Sequence, residues 1–153
     1  MTDPTHRSIL LLSGPNLNLL GERQPEVYGT ATLDAHVATA AERAQQAGVE
    51  VEHVQSNAEA VLVEAVHRAR GAHDAIVVNA GAVTHYGWGL HDALAAFDGP
   101  VVELHLSNPS AREPWRHTSV VSPVADVVIQ GAGGLGYRLA VDAALGLLGL
   151  DLP

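Results

Sequence analysis

The chain has 153 residues, 47% hydrophobic and 16% charged, which is enough apolar material for one buried core and too little length for two ordinary domains. With 8 Lys+Arg against 17 Asp+Glu the formal net charge is −9, which argues against non-specific nucleic-acid binding. Cysteine is absent and every basic side chain is Arg, so disulfides, thiolate metal sites, thiol nucleophiles, Schiff-base lysines and a P-loop lysine are excluded together.

In chain order, the first predicted element is an aliphatic strand at 8–13 (SILLLS), ended by Gly14-Pro15. Its apolar run is too short to span a bilayer and the residues before it are polar, so the expectation is a cytoplasmic protein with no membrane partner. A long loop follows, with about 16–29 reading as a lid, where compact domains use roughly two to six residues. It carries Arg23 and Tyr28 on its far side. A phenol titrates near 10 in water, and a neighbouring guanidinium favours the phenolate, so this pair can supply a base. The alternative is that Tyr28 packs on the sheet edge and Arg23 is solvated.

Thr32 then caps a helix with the apolar stripe Leu33, Val37, Ala40, Ala44 and Ala47, stopped by Gly48. A strand at 50–55 leads to a second helix, with Asn57 as its cap, Leu62, Val66 and Ala69 facing inward, and Gly71 as its stop. The strand at 74–79 runs into Asn-Ala-Gly-Ala-Val-Thr-His, where small residues admit a ligand and Asn79 and His85 present donors. A helix over about 88–97 and a strand at 100–105 follow. On that strand Glu103 and His105 share a face, so the carboxylate can fix the imidazole tautomer and support a general acid. Residues 111–119 form a turn with Arg112 and Arg116, a pair suited to clamping a carboxylate. A strand at 126–130 and a helix over about 134–148 complete the chain.

Five strands alternating with helices predict one domain over residues 1–153: a flavodoxin-like, doubly wound five-stranded parallel sheet of order 2-1-3-4-5 in a three-layer α/β sandwich. Ligands of such sheets bind beyond the carboxyl ends of the strands. Asn16, Asn57, Asn79, His85, His105, Ser107 and Asn108 fall there, although Asn and Ser are also ordinary turn formers.

The segments 13–29 (SGPNLNLLGERQPEVYG), 79–85 (NAGAVTH), 103–108 (ELHLSN) and 112–119 (REPWRHTS) resemble the signatures of type II 3-dehydroquinate dehydratase, in that family's order and spacing. The resemblance runs over nearly the whole chain. It implies dehydration of 3-dehydroquinate to 3-dehydroshikimate through an enolate, in the shikimate or quinate pathway. It also implies no metal or organic cofactor, and a homo-oligomer assembled as a dodecamer, a tetramer of trimers. By the same resemblance Tyr28 is the base at C2, Arg23 the lid arginine beside it and Asn16 the residue that orients a water. His105 backed by Glu103 is the acid for the C1 hydroxyl. Asn79, His85, Leu106, Ser107 and Arg116 match substrate-binding positions, and Asp92, at the start of its helix, matches the acid that reaches a neighbouring subunit's site. Ser13, Gln24, Gly87, His91 and Thr118 depart from the family pattern, none at a catalytic position.

Gly131-Ala-Gly-Gly-Leu-Gly136 is a literal GxGxxG after a strand. Too little chain follows it for a second strand to bring a ribose-binding carboxylate, so tight strand-to-helix packing is the expected role. No HExxH motif or i, i+4 His pair indicates a metal. Two rival functions share the fold, a nucleotide- or flavin-binding module and a non-catalytic relative that keeps the pocket for binding.

Overall fold

The computed structural model describes residues 6–150. The strands are β1 (Arg7–Ser13), β2 (Val49–Gln55), β3 (Ala75–Asn79), β4 (Val101–His105) and β5 (Val127–Gln130). They form one sheet of order β2-β1-β3-β4-β5, with every pair parallel. The helices are α1 (Pro25–Tyr28), α2 (Leu33–Gln45), α3 (Glu59–Ala69), α4 (Trp88–Ala95) and α5 (Leu135–Leu147). The predicted sheet and its strand order are found as expected.

Alternation along the strands builds two cores. Ile9, Leu11, Val77, Val102 and Leu104 face α2 and α5, where Ala40, Ala44, Tyr137, Val141 and Leu145 close the layer. Leu10, Leu12, Ile76, Val78 and Val101 face α3 and α4, against Leu62, Val66, Leu90 and Leu94. Burying each such aliphatic side chain is worth about 1.5–3 kcal/mol, which fixes the strand register. β3 and β4 are buried along their whole length, whereas the edge strand β5 alternates half-buried and exposed residues. On the helical side a part-buried ion pair, Arg43 Nε to Asp142 Oδ1 at 2.5 Å, ties α2 to α5.

The caps differ from expectation at one end. Thr32 caps α2, its hydroxyl accepting from the Ala35 amide at 3.2 Å. Asn57 does not cap α3, which starts at Glu59 after Ala58. Its Oδ1 instead accepts from the Asn16 amide at 3.0 Å, so the side chain is spent on the loop after β1. That loop is also more ordered than a bare lid. It contains a 3₁₀ turn at Leu17–Leu19 and the single helical turn α1. Asn16 (φ 67°) and Gln24 (φ 41°) both adopt the left-handed region that ordinary side chains avoid, a strain typical of functional loops.

No helix among the described residues is long and apolar enough to cross a membrane.

Candidate active site

The carboxyl ends of β1, β3 and β4 converge on a cavity of about 150 Å³, roofed by the loop that carries α1. Register explains the convergence. Ser13 pairs with Asn79 across β1 and β3, and the Gly14 amide donates to the Asn79 carbonyl at 2.8 Å, so Asn16 and Asn79 arrive side by side. Asn16, Arg23, Tyr28, Asn79, His85, His105, Leu106, Ser107 and Arg116 all line this cavity. Glu103 and Asp92 do not. Three of the eight cationic side chains of a chain with net charge −9 face it: Arg23, Arg112 and Arg116. Such a cavity is suited to a small anion.

Tyr28 enters from the roof. Its ring packs against the α2–α5 core, and its hydroxyl accepts a hydrogen bond from Arg112 Nη1 at 2.7 Å. Arg23 lies over the ring face, its guanidinium carbon 5.3 Å from the centroid. From the sequence Tyr28 is expected to pair with Arg23, and Arg112 to clamp a carboxylate with Arg116. In the fold Arg112 serves the phenolic oxygen and the Ser107 hydroxyl, at 3.3 Å. Arg116 stacks over Trp115, 4.0 Å from its ring centroid, and pairs with Glu113. The two arginines therefore diverge.

His105 forms part of the floor. Its Nε2 lies 2.6 Å from Glu103 Oε2, the two residues projecting from the same face of β4 as the strand period requires. The carboxylate is only 1% exposed and is held by three donors: His105, the Ser119 hydroxyl at 2.8 Å and the Ser122 hydroxyl. Burial alone would raise its pKa, yet these hydrogen bonds outweigh that and hold it below the ordinary carboxylate range. Because a carboxylate only accepts, Nε2 carries the proton and Nδ1 is the nitrogen left for a ligand.

His85 is fixed in the same way. Its Nδ1 lies 2.6 Å from the Thr118 carbonyl, which can only accept, so Nε2 is free as an acceptor while the ring is neutral. Burial lowers its pKa and favours that neutral form. Only the Thr118 backbone is used, so the departure from the family pattern at that position leaves this contact untouched. His91, another departure, holds the Val120 carbonyl through Nδ1 at 2.6 Å. Ser13, a third, meets His53 Nε2 at 2.9 Å.

Asp92 sits in the middle of α4 and not at its start, exposed and outside the lining of the cavity of its own chain. Among the described residues, no three His, Asp or Glu side chains gather in metal-binding geometry.

The model of the class II dehydroquinase family matches residues 7–145. The chain belongs to that family. A class II dehydroquinase fold is also what the solved structures give. The type II dehydroquinase of Butyrivibrio crossotus superposes with a TM-score of 0.88 at 39% identity, covering 91% of this chain and 97% of that one. The 3-dehydroquinate dehydratase 1 of Corynebacterium efficiens is 56% identical over 134 residues, 88% of this chain and 89% of the relative. The catabolic 3-dehydroquinase of Phaeosphaeria nodorum is 49% identical over 138 residues, 90% of this chain and 91% of that protein. The chain thus has similar relatives named both with and without a catabolic role.

Proposed function

We propose that this class II dehydroquinase is a hydro-lyase converting 3-dehydroquinate to 3-dehydroshikimate, a step of the shikimate or quinate pathway. One observation carries the reading: a guanidinium-bonded phenol and a carboxylate-bonded imidazole face the same arginine-lined cavity, one from the loop and one from the sheet. Tyr28 removes a proton from C2, alpha to the ketone. The enolate that forms is stabilised by a water held at Asn16. His105 donates a proton from Nδ1 to the departing C1 hydroxyl, while Glu103 balances the charge of the doubly protonated ring. Asn79, His85 and the Leu106–Ser107 segment hold the hydroxyls and carboxylate, with Arg116 beside them. An imine route is closed to a chain with no lysine. Names of relatives at 49–56% identity support the same reaction. The test is the ultraviolet absorbance of the conjugated enone on adding 3-dehydroquinate. Its growth supports the dehydratase, whereas binding without turnover is the outcome for a non-catalytic relative, and stabilisation by NAD or FMN the outcome for a nucleotide-binding module.

Arg116→Ala raises KM by about tenfold or more, because it removes a charge-assisted contact worth about 1.5–3 kcal/mol. kcat changes less, since the carboxylate is recognised alike in the ground and transition states. Steady-state kinetics decide this, and an unchanged KM leaves carboxylate recognition to the Leu106–Ser107 backbone without Arg116.

We further propose that residues 1–153 act as a single cytoplasmic catalytic domain that assembles into a homo-oligomer, a dodecamer built from trimers. Asp92, an exposed residue of α4, is available to a neighbour, and Tyr86, Trp88 and Trp115 are 58%, 62% and 52% exposed, with Trp115 edge-on to His85 and Trp88 edge-on to His91. Light scattering gives a mass many times that of one chain; a stable monomer at micromolar concentration overturns the assembly.

A further inference from the structure

Two amides of the glycine-rich turn after β5 are committed within the fold. The Gly131 N–H donates to the carbonyls of Ser107 at 3.0 Å and His105 at 3.3 Å. The Gly133 N–H donates to the Leu106 carbonyl at 3.0 Å. Three successive carbonyls of the segment that lines the cavity floor are therefore drawn toward one turn.

A trans peptide unit is planar, with its N–H directed away from its C=O. No peptide bond among the described residues is cis. When the His105 and Leu106 carbonyls point at the turn, the Leu106 and Ser107 N–H groups point away from it. Neither N–H donates to any backbone or side-chain acceptor among the described residues, although Leu106 is only 4% exposed and both residues line the cavity. Two successive amides aimed to the same side form a concavity that binds anions.

We propose that Gly131 and Gly133 are positioning residues for the reaction: by holding the carbonyls of residues 105–107 they aim the Leu106 and Ser107 amides at the substrate carboxylate. This rests on the reading of the cavity as the site of an anionic hydroxy-ketone. Both glycines are needed in their own conformation. Gly131 has φ +84°, and a Cβ there would lie 3.3 Å from Asn108 Cβ. Gly133 has φ +58°, with open space around the place of a Cβ. A side chain at 131 thus pushes the turn off the segment it holds. At 133 only the backbone conformation is at stake, which Asn tolerates and β-branched residues do not.

The experiment compares two ligands, 3-dehydroshikimate and its methyl ester, by titration calorimetry in a Tyr28→Phe background where turnover is silenced. In that background the acid binds more tightly than the ester. Adding Gly131→Ala lowers the preference for the acid by about tenfold, the loss expected for a hydrogen bond to a charged group. Ester affinity stays within a factor of about two. Gly133→Val has the same effect, and Gly133→Asn restores the parent preference. If Gly131→Ala does not fold, Gly133→Ala, strained only by its φ, takes its place. Equal weakening of acid and ester, or an unchanged preference, means that the turn is mere packing and overturns the proposal. If the background enzyme itself does not distinguish acid from ester, the anion-site reading has failed before the glycines are tested.

Discussion

Tyr28→Phe lowers kcat by about 10³-fold or more and leaves the affinity for 3-dehydroshikimate nearly unchanged. The substitution deletes one oxygen and keeps the ring packed against the α2–α5 core. A positioned base is worth about 10²–10⁴-fold, and the other roof side chains that line the cavity, Asn16, Leu17, Leu20 and Arg23, cannot take a proton in its place. Arg112→Ala and Arg23→Ala separate two effects. Arg112 donates to the phenolic oxygen at 2.7 Å, whereas Arg23 sits over the ring. Loss of Arg112 removes both the donor to the phenolic oxygen and a guanidinium 5.2 Å from the ring centroid, so it falls harder on kcat, whereas loss of Arg23 removes only one of the two charges over the ring. Stopped-flow and calorimetry measure the two quantities separately. Turnover of Tyr28→Phe at a tenth of the parent rate or better would require a different base.

His105→Ala costs about 10²–10⁴-fold in kcat while the fold survives, because elimination of hydroxide without a proton donor is slow. Solvent exchange of the C2 proton persists, since Tyr28 still works. Following that exchange by NMR beside enone formation separates the acid from the base, and near-normal turnover removes the assignment. Glu103→Gln keeps the shape and removes the charge that balances the protonated ring, so kcat falls while KM moves little. A pH signature goes with it. The Glu103 carboxyl titrates below its ordinary value of 4.5 in the fold, because the hydrogen bonds from His105 and the two serines outweigh burial. Its ionised form thus contributes stability that is complete above about pH 4.5 and is lost as pH falls through the folded value. Thermal melts of Glu103→Gln lose that part of the acid dependence.

The central strands β1, β3 and β4 were legible because their aliphatic runs are nearly continuous and buried on both faces, and the strand order followed from the alternation with helices. Glu103 and His105 were legible because a period of two is a local rule. The pairing of Arg112 with Tyr28 was not, since 84 residues separate them and no spacing rule reaches that far. The only available signal was that two arginines lie four apart in a short turn, and both were assigned one job. Asn57 looked like a helix cap because Asn competes well for that place, but the amide of Asn16 was the partner within reach. The turns inside the roof loop were missed because one turn of helix has no periodicity to detect. The glycine-rich segment had a motif but no visible purpose until its amides were seen to end on residues 105–107.

Arg112 gives to the Tyr28 oxygen with the same nitrogen that it gives to the Ser107 hydroxyl. In thermodynamic language, the seating of the roof and the geometry of the floor are linked equilibria that share one ligand. Whatever strengthens one contact competes for, or helps orient, the group that makes the other. The energetic cost of altering both Tyr28 and Ser107 is therefore not the sum of the two separate costs, and the difference measures how tightly closure of the loop and recognition of the anion are bound together.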